Sequence, residues 1–454
     1  MDIQSIIQAQ RNYFASNVTK DYHFRFQALK TLKEGILNYK EQIIEAMHKD
    51  LGKAPMETIM TELAIVMNEL NHTLKHLKRW MKPQKVHTPL VLFAAKSRIL
   101  QEPFGVVLIM SPWNYPFQLA IDPLIGAIAA GNCAIIKPAS YAKHTSEVIY
   151  QMIQSCFKPE FITTILGGRE ENKSLLEQRF DYLFFTGSTH VGRTVMEKAA
   201  VHLTPMTLEL GGKSPVIIDG TLSMPLTAKR IAFGKFVNAG QTCVAPDYVL
   251  IKREYRDAFI ESLKQVIQDF FGEDPLQNPD LPKIINKHHH ERLLGYLKDQ
   301  TIAIGGTANE TKITPTVLID VNFDSPVMKD EIFGPILPVI AYDDIDNAIQ
   351  YIKLQEKPLA LYLFTTDQKL QKRVLKEVSF GGGTINDTLM HVASSHLPFG
   401  GVGFSGLGNY HGIDSFKTFS HAKSVLVRSR WIDLSFRYHP YTKTKRAIIE
   451  KFSK

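Results

Sequence analysis

Phe104-Gly-Val-Val-Leu-Ile-Met110, the turn Ser111-Pro-Trp-Asn-Tyr-Pro116, and the apolar segment running from Phe117-Gln-Leu-Ala-Ile-Asp122 to Asn132-Cys-Ala-Ile-Ile-Lys137 decide how this chain folds. The first and last pieces are continuous apolar runs without in–out alternation, the pattern of strands covered on both faces. The segment 117–136 is long enough to span a bilayer. Gln118, Asp122, Pro123 and Asn132 interrupt it, so it reads as a buried helix followed by a strand. Strand, helix, strand is the unit of a parallel sheet with crossover helices.

Working outward, apolar runs at 163–168, 182–186 and 207–210 extend this series. Together they predict a dinucleotide-binding α/β domain. A second series follows Gly211, at 215–219, 248–252, 316–319, 337–342, 359–365 and 384–386, with helices over 254–271 and 343–354. It predicts a second α/β domain. Upstream, 26–49 and 57–80 read as helices, and Ile3, Ile7 and Phe14 share one face of an amphipathic first helix. The stretch 86–100, rich in Val, Leu and Phe, reads as a hairpin. It either pairs with a neighbouring subunit or lies on the surface of its own domain.

The chain has 454 residues, 44% of them hydrophobic and 22% charged, which suits about two or three globular domains and excludes disorder over most of the length. Cys133, Cys156 and Cys243 are too few and too scattered for a disulfide framework or a thiolate metal site, so no metal is expected. They suit a reducing compartment. Asp2, Gln4, Gln8 and Gln10 stand where a signal peptide needs an apolar core, and a cytoplasmic location is expected. The formal net charge is +8, but eight Lys or Arg fall within 428–454 against only Asp433 and Glu450. The basicity is therefore mostly a tail and not a groove, which argues against a nucleic-acid binder.

Four segments carry chemistry. In Phe236-Val-Asn-Ala-Gly-Gln-Thr-Cys-Val-Ala245 the thiol of Cys243 sits in a turn, where backbone N–H groups favour a thiolate nucleophile. Most cysteines are inert and buried, and Cys133 and Cys156 fit that description better. In Thr207-Leu-Glu-Leu-Gly-Gly-Lys213, Glu209 ends an apolar strand, so its carboxyl is desolvated and suited to act as a general base, unless a Lys or Arg simply pairs with it. The turn after the first strand carries Trp113 and Asn114, and an Asn amide there can donate to a developing oxyanion. Phe184-Phe-Thr-Gly-Ser-Thr-His-Val-Gly-Arg-Thr194 places Gly187, Ser188 and Gly192 where backbone N–H groups and a helix N-terminus cradle phosphate. This last segment also approaches a P-loop, with Arg193 in place of the lysine, so a nucleotide-binding P-loop protein is a competing reading. His288-His289-His290 reads as a solvated helix face, since consecutive histidines point in different directions.

In this order, Pro112-Trp-Asn114, Lys137-Pro138, Thr186-Gly-Ser188, Leu208-Glu-Leu-Gly-Gly212, Gly240-Gln-Thr-Cys243, Glu331-Ile-Phe-Gly-Pro335 and Pro398-Phe-Gly-Gly-Val-Gly403 resemble the aldehyde dehydrogenase superfamily. Val-Ala-Pro-Asp-Tyr after Cys243, together with Gly408-Asn-Tyr-His-Gly412 and Ser415-Phe-Lys-Thr-Phe-Ser-His421, is similar to its class 3 branch of fatty- and aromatic-aldehyde enzymes. The resemblance implies a Rossmann-like cofactor domain (1–80 and 100–210), a second α/β catalytic domain (211–410), and a bridging β element with a basic tail (81–99 and 411–454). It implies oxidation of an apolar aldehyde to the acid, with Cys243 as nucleophile, Asn114 as oxyanion donor and Glu209 activating water. Glu209 also favours hydrolysis over the coenzyme A transfer of some relatives. The coenzyme is NAD or NADP, with Trp113, Glu331 and Phe333 at its nicotinamide end, Lys137 on the adenosine ribose and Gly187, Ser188 and Gly192 on the pyrophosphate. Many relatives carry Glu three residues after the lysine. Ser140 stands there instead, and the missing carboxylate implies that NADP is tolerated. A homodimer is implied as well. The end Arg446-Ala-Ile-Ile-Glu-Lys-Phe-Ser-Lys454 is not the hydrophobic anchor of some class 3 members, though its basic, aromatic-bearing tail suits peripheral contact with anionic lipid.

Overall fold

The computed structural model describes residues 2–452, so Met1 and the last two residues of the basic tail, Ser453 and Lys454, lie outside the described residues. Three sheets organise the chain. The first has six strands in the order Gly406–Leu407, Met206–Glu209, Tyr182–Thr186, Val106–Met110, Cys133–Lys137, Ile162–Thr164, parallel except for the short antiparallel edge at Gly406–Leu407. The parallel strands follow the doubly wound dinucleotide order. Their switch point falls between Val106–Met110 and Tyr182–Thr186, where loops at the carboxyl ends of the strands open a crevice for a ligand.

Continuous apolar strands form here because both faces are covered. All five residues of Val106–Met110 and of Cys133–Lys137 are buried. The helix Gln118–Ala130 between them is buried at every position and ends at Gly131, whose φ of 95° is left-handed. Gly126 in that helix lets Ser415 and Phe419 approach, since a Cβ there would lie 2.9 and 3.0 Å from their atoms.

The second sheet has seven strands, Thr301–Ile304, Thr316–Ile319, Ile336–Tyr342, Tyr248–Lys252, Pro215–Ile218, Ala360–Phe364 and Gly382–Ile385, parallel except for the first. The third is antiparallel and joins Gln84–Val86, Ala95–Pro103 and Ser420–Arg428. The hairpin expected at 86–100 is thus part of a larger element, closed by a strand from the far end of the chain. The tail folds back on it, with Leu434 and Phe436 facing Leu90, Val91 and Phe93 across a small apolar pocket.

The helices differ from expectation in detail. The single helix read over 26–49 is two, Tyr22–Asn38 and Lys40–Leu51, parted where Tyr39 leaves helical geometry with ψ near 4°. The one read over 57–80 contains a wider π turn, Ile59–Leu63, before Ala64–Trp80. Neither break has a Pro or Gly at the break itself, so apolar periodicity runs through both.

Candidate active site

Asn238, Ala239 and Gly240 form a left-handed run, with φ of 52, 51 and 72°, immediately before Gln241-Thr242-Cys243. Two of the three are not glycine, so the strain has to be held by contacts. Gly240 must be glycine on packing grounds too, because a Cβ would lie 2.3 Å from the carbonyl oxygen of Gly334. The Asn238 amide donates to the backbone oxygens of Asn114 (2.8 Å) and Gln241 (3.1 Å). The Gln241 side chain is fully engaged, donating to Asn238 and Lys283 and accepting from Ile285 N.

The Trp113–Asn114 turn is fastened to this run. The Asn114 amide donates to Gln241 O at 3.0 Å, leaving its second N–H for another acceptor. The Tyr115 hydroxyl meets Thr242 Oγ1 at 2.6 Å. Lys53 and Glu62, both fully buried and 2.6 Å apart, hold the turn from behind. Lys53 Nζ also donates to Asn114 O, while Glu62 Oε2 accepts the backbone N–H groups of Phe117 and Gln118 at the start of the buried helix. Glu57 accepts Asn238 N at 2.9 Å. None of these three residues, Lys53 in the loop after Leu51 and Glu57 and Glu62 on the helical segments that follow, stood out in the sequence, because a Lys or Glu among helices ordinarily reads as solvated.

Cys243 is half-buried beneath this scaffold. Burial pushes its thiol up to about 12, the charges of Glu331 and Glu209 push in the same direction, and the N–H groups of Cys243 and Val244 pull weakly the other way. The backbone N–H groups act in the expected direction, but desolvation outweighs them. Glu209 is 2% exposed, neither of its carboxyl oxygens has a partner, and burial alone holds it well above the usual carboxylate range. Among the described residues no Lys or Arg pairs with it, so the structural alternative for Glu209 lacks its counter-ion there.

Glu331 lies against the loop after Glu209. A Cβ on Gly211 would fall 2.0 Å from its Oε2, and its Oε1 is buried without a partner. Burial first, then Asp247, pushes its carboxyl up to about 8. Asp247 accepts both Lys213 Nζ (2.5 Å) and Ile332 N (2.9 Å), which ties the Gly211–Lys213 loop to the Glu331 segment. Phe333, with φ of 50°, packs edge-on to Trp113 with centroids 5.4 Å apart.

His289 packs on the same indole at 5.3 Å, with a buried, unpartnered Nδ1, and burial lowers it to about 4. His290 is buried and faces Lys312 O, so only His288 of the triplet is exposed. The solvated-face reading of this triplet is corrected accordingly.

The residues fit a dinucleotide. Ser188 caps the helix Thr189–Ala200 by accepting Val191 N, so the positive end of that helix faces the crevice. A Cβ on Gly187 would strike the Phe185 ring at 2.5 Å, and one on Gly192 would strike Leu210 at 2.7 Å, so packing requires glycine at both, while their own N–H groups bond Glu209 O and Ser188 O. Arg193, the P-loop lysine's stand-in, turns to the Phe404 ring at 4.8 Å instead. Lys137 is buried and donates to Pro138 O and Gly167 O, and burial lowers its ammonium to about 8. Ser140 is exposed beyond it. The unpartnered oxygen of Glu331 awaits a donor of the kind a ribose hydroxyl supplies.

Residues 1–425 match the model of the aldehyde dehydrogenase family. The chain belongs to that family. It is 47% identical over 446 residues to 4,4'-diaponeurosporen-aldehyde dehydrogenase of Staphylococcus aureus, covering 97% of each chain. It is 45% identical over 445 residues to rat aldehyde dehydrogenase family 3 member B1, covering 96% of this chain and 94% of that one. A solved structure of Staphylococcus aureus AldH in its substrate-bound state superimposes with a TM-score of 0.98 over 100% of both chains, at 46% identity. The protein is an aldehyde dehydrogenase, and the family uses NAD(P). Among the described residues no helix is long and apolar enough to cross a membrane.

Proposed function

We propose that this aldehyde dehydrogenase oxidises an apolar aldehyde to its carboxylic acid through a thioester on Cys243. The observation that carries this reading is the pairing of a half-buried thiol with Glu209, a carboxyl whose oxygens have no partner and whose charge the thiol feels. Cys243 Sγ passes its proton to solvent water and adds to the aldehyde carbon, whose C=O π pair moves onto oxygen. The resulting oxyanion accepts from the free Asn114 amide N–H and from the Cys243 backbone N–H. The bound coenzyme supplies an acceptor for the hydride that leaves this adduct. Water then attacks the thioester while Glu209 takes its proton, which releases the acid and the thiol. Water that reaches the thioester also solvates Glu209, bringing its carboxyl down toward the range of a base.

Trp113, Phe333 and Glu331 hold the nicotinamide end, Lys137 the adenosine ribose, and Gly187, Ser188 and Gly192 the pyrophosphate. With Ser140 in place of a carboxylate, the adenosine end accepts a 2′-phosphate, so NADP serves as well as NAD. The likeness to a diaponeurosporen-aldehyde dehydrogenase favours an isoprenoid or other long apolar aldehyde.

The enzyme works as a homodimer. Among the described residues the outer edge of Ser420–Arg428 has no neighbouring strand, and Leu426 and Val427 are exposed on it, a surface suited to pairing. Three free thiols suit a cytoplasmic location. Contact of the folded-back tail with its own chain or its dimer mate is favoured over contact with lipid, and co-sedimentation with anionic vesicles, set against a chain cut after Ser429, decides between them.

The deciding experiment follows coenzyme reduction with decanal or benzaldehyde, in NAD and NADP. Aldehyde-dependent reduction that vanishes in Cys243→Ala supports the nucleophile. Reduction of NADP that is lost in Ser140→Glu while NAD reduction survives supports the coenzyme reading. A Cys243→Ala protein that still turns over refutes the mechanism.

A further inference from the structure

Asn238 opens the left-handed run that leads into the nucleophile loop, with φ of 52° and ψ of 30°. Asn is among the few side chains that take this geometry readily. Strained backbone of this kind persists only where its surroundings over-determine it. The Asn238 N–H donates to Glu57 Oε1 at 2.9 Å, and its carbonyl accepts Gln241 N and Gln241 Nε2, each at 3.0 Å. The loop itself is a fixed reference, since the Gln241 side chain also donates to Lys283 O and accepts Ile285 N.

The Asn238 side chain is 0% exposed and has a different task from its backbone. Its amide nitrogen carries two N–H groups and directs them to two separate segments, Asn114 O at 2.8 Å and Gln241 O at 3.1 Å. Both partners are carbonyl oxygens, so a flipped amide would set oxygen against oxygen, and its orientation is fixed. Gln241 O also accepts the Asn114 amide at 3.0 Å. The three groups therefore close a ring, from the Asn114 side chain to the Gln241 carbonyl, on to the Asn238 amide, and back to the Asn114 backbone.

Hydrogen-bond satisfaction does not require this ring. With Asn238 cut back, Asn114 O keeps Lys53 Nζ at 3.1 Å and Gln241 O keeps the Asn114 amide, so neither acceptor is left bare. What Asn238 adds is a cross-tie. Tyr115 and Thr242 join the same two segments through side-chain hydroxyls, but among the described residues Asn238 alone reaches the Asn114 backbone from the nucleophile loop. Placement matters at this point. The Asn114 amide has one N–H left for an oxyanion, and its direction follows from the bond that the other N–H makes to Gln241 O.

We propose that Asn238 is a positioning residue for aldehyde oxidation, its amide clamping the Asn114 peptide to the nucleophile loop so that the free Asn114 N–H meets the oxyanion formed at Cys243. The proposal rests on Asn114 as the oxyanion donor and adds to that reading the group that aims it.

The test is a double-mutant cycle on kcat/KM, with decanal or benzaldehyde, whichever the wild-type enzyme oxidises faster. The proteins are wild type, Asn238→Gly, Asn114→Ala and the pair combined. Glycine keeps the left-handed backbone and the N–H to Glu57 while removing the amide. Asn114→Ala should lower kcat/KM by about 10²–10³. Asn238→Gly should lower it about tenfold, the effect of a donor displaced by a fraction of an ångström. In the Asn114→Ala background the same change should matter less than about twofold, because no donor is left to aim. A protein that is merely destabilised loses activity equally in both backgrounds, so an additive cycle overturns the proposal. Wild-type kcat/KM in Asn238→Gly overturns it as well. Should Asn238→Gly not fold, Asn238→Ala carries the same comparison, since Ala239 already takes this geometry with φ of 51°. Failure of the underlying reading shows separately, as an Asn114→Ala enzyme with undiminished kcat/KM.

Discussion

Three groups around the nucleophile compete for negative charge: Cys243, Glu209 and Glu331 each lie high in their titration, and both carboxyls raise the thiol. In Glu331→Gln one of those charges is gone, so the alkylation of Cys243 by iodoacetamide should set in at lower pH than in the wild-type protein. An unchanged or upward-shifted profile would show that Glu331 does not act on the thiol. Glu209→Gln should slow turnover by about 10²–10⁴ while leaving a burst of reduced coenzyme, because hydride departure precedes the step that needs the base. Loss of the burst would place Glu209 earlier in the sequence. Cys243 and Glu209 drew attention through their neighbours, Gly-Gln-Thr before the thiol and two glycines after the carboxyl, whereas Glu331 entered only through the family resemblance. Lys53, Glu62 and His289 were not legible, since their roles come from contacts farther along the chain, and nothing adjacent marks them as buried.

At the scale of elements, the strands were readable and the helix breaks were not. A strand covered on both faces must be apolar throughout, and 182–186 and 248–252 show it, falling on strands with those same bounds. A helix that changes to a π turn at Ile59–Leu63 keeps its apolar periodicity, so only packing reveals the change. That packing positions the site, because this helical region presents Glu57 to Asn238 and Glu62 to Lys53. Lys53→Met removes one partner of a fully buried pair and should cost about 3–5 kcal/mol, read as a lower denaturation midpoint. It should also depress kcat, by loosening Asn114. A variant with unchanged stability would mean that the Glu62 carboxyl finds full compensation from Phe117 and Gln118 N–H alone.

For the molecule as a whole, the doubly wound order of the first sheet leaves its switch-point crevice facing the loops that carry Trp113, Asn114 and Gly187, and the second sheet brings Glu331 and Phe333 to the same place. The third sheet stands apart from this chemistry and keeps an open edge. If the proposed homodimer pairs through this edge, Leu426→Lys together with Val427→Lys should convert it to monomers by light scattering, since added charge on an edge strand opposes pairing. A dimer that persists would move the interface elsewhere on the surface. The joining of 95–103 to 420–428 could not be read from either segment, because register across more than three hundred residues leaves no local trace.

The buried Lys53–Glu62 pair has a consequence for how the protein is made. Both charges leave the ribosome early, yet their partners Asn114, Phe117 and Gln118 come later, and Asn238, which bonds the neighbouring Glu57, later still. During synthesis the amino-terminal helices are therefore an unfinished half of an interface, waiting on segments not yet translated. A pause or truncation before residue 238 leaves that half exposed, and quality control would meet the unfinished chain as a client before the thiol of Cys243 existed.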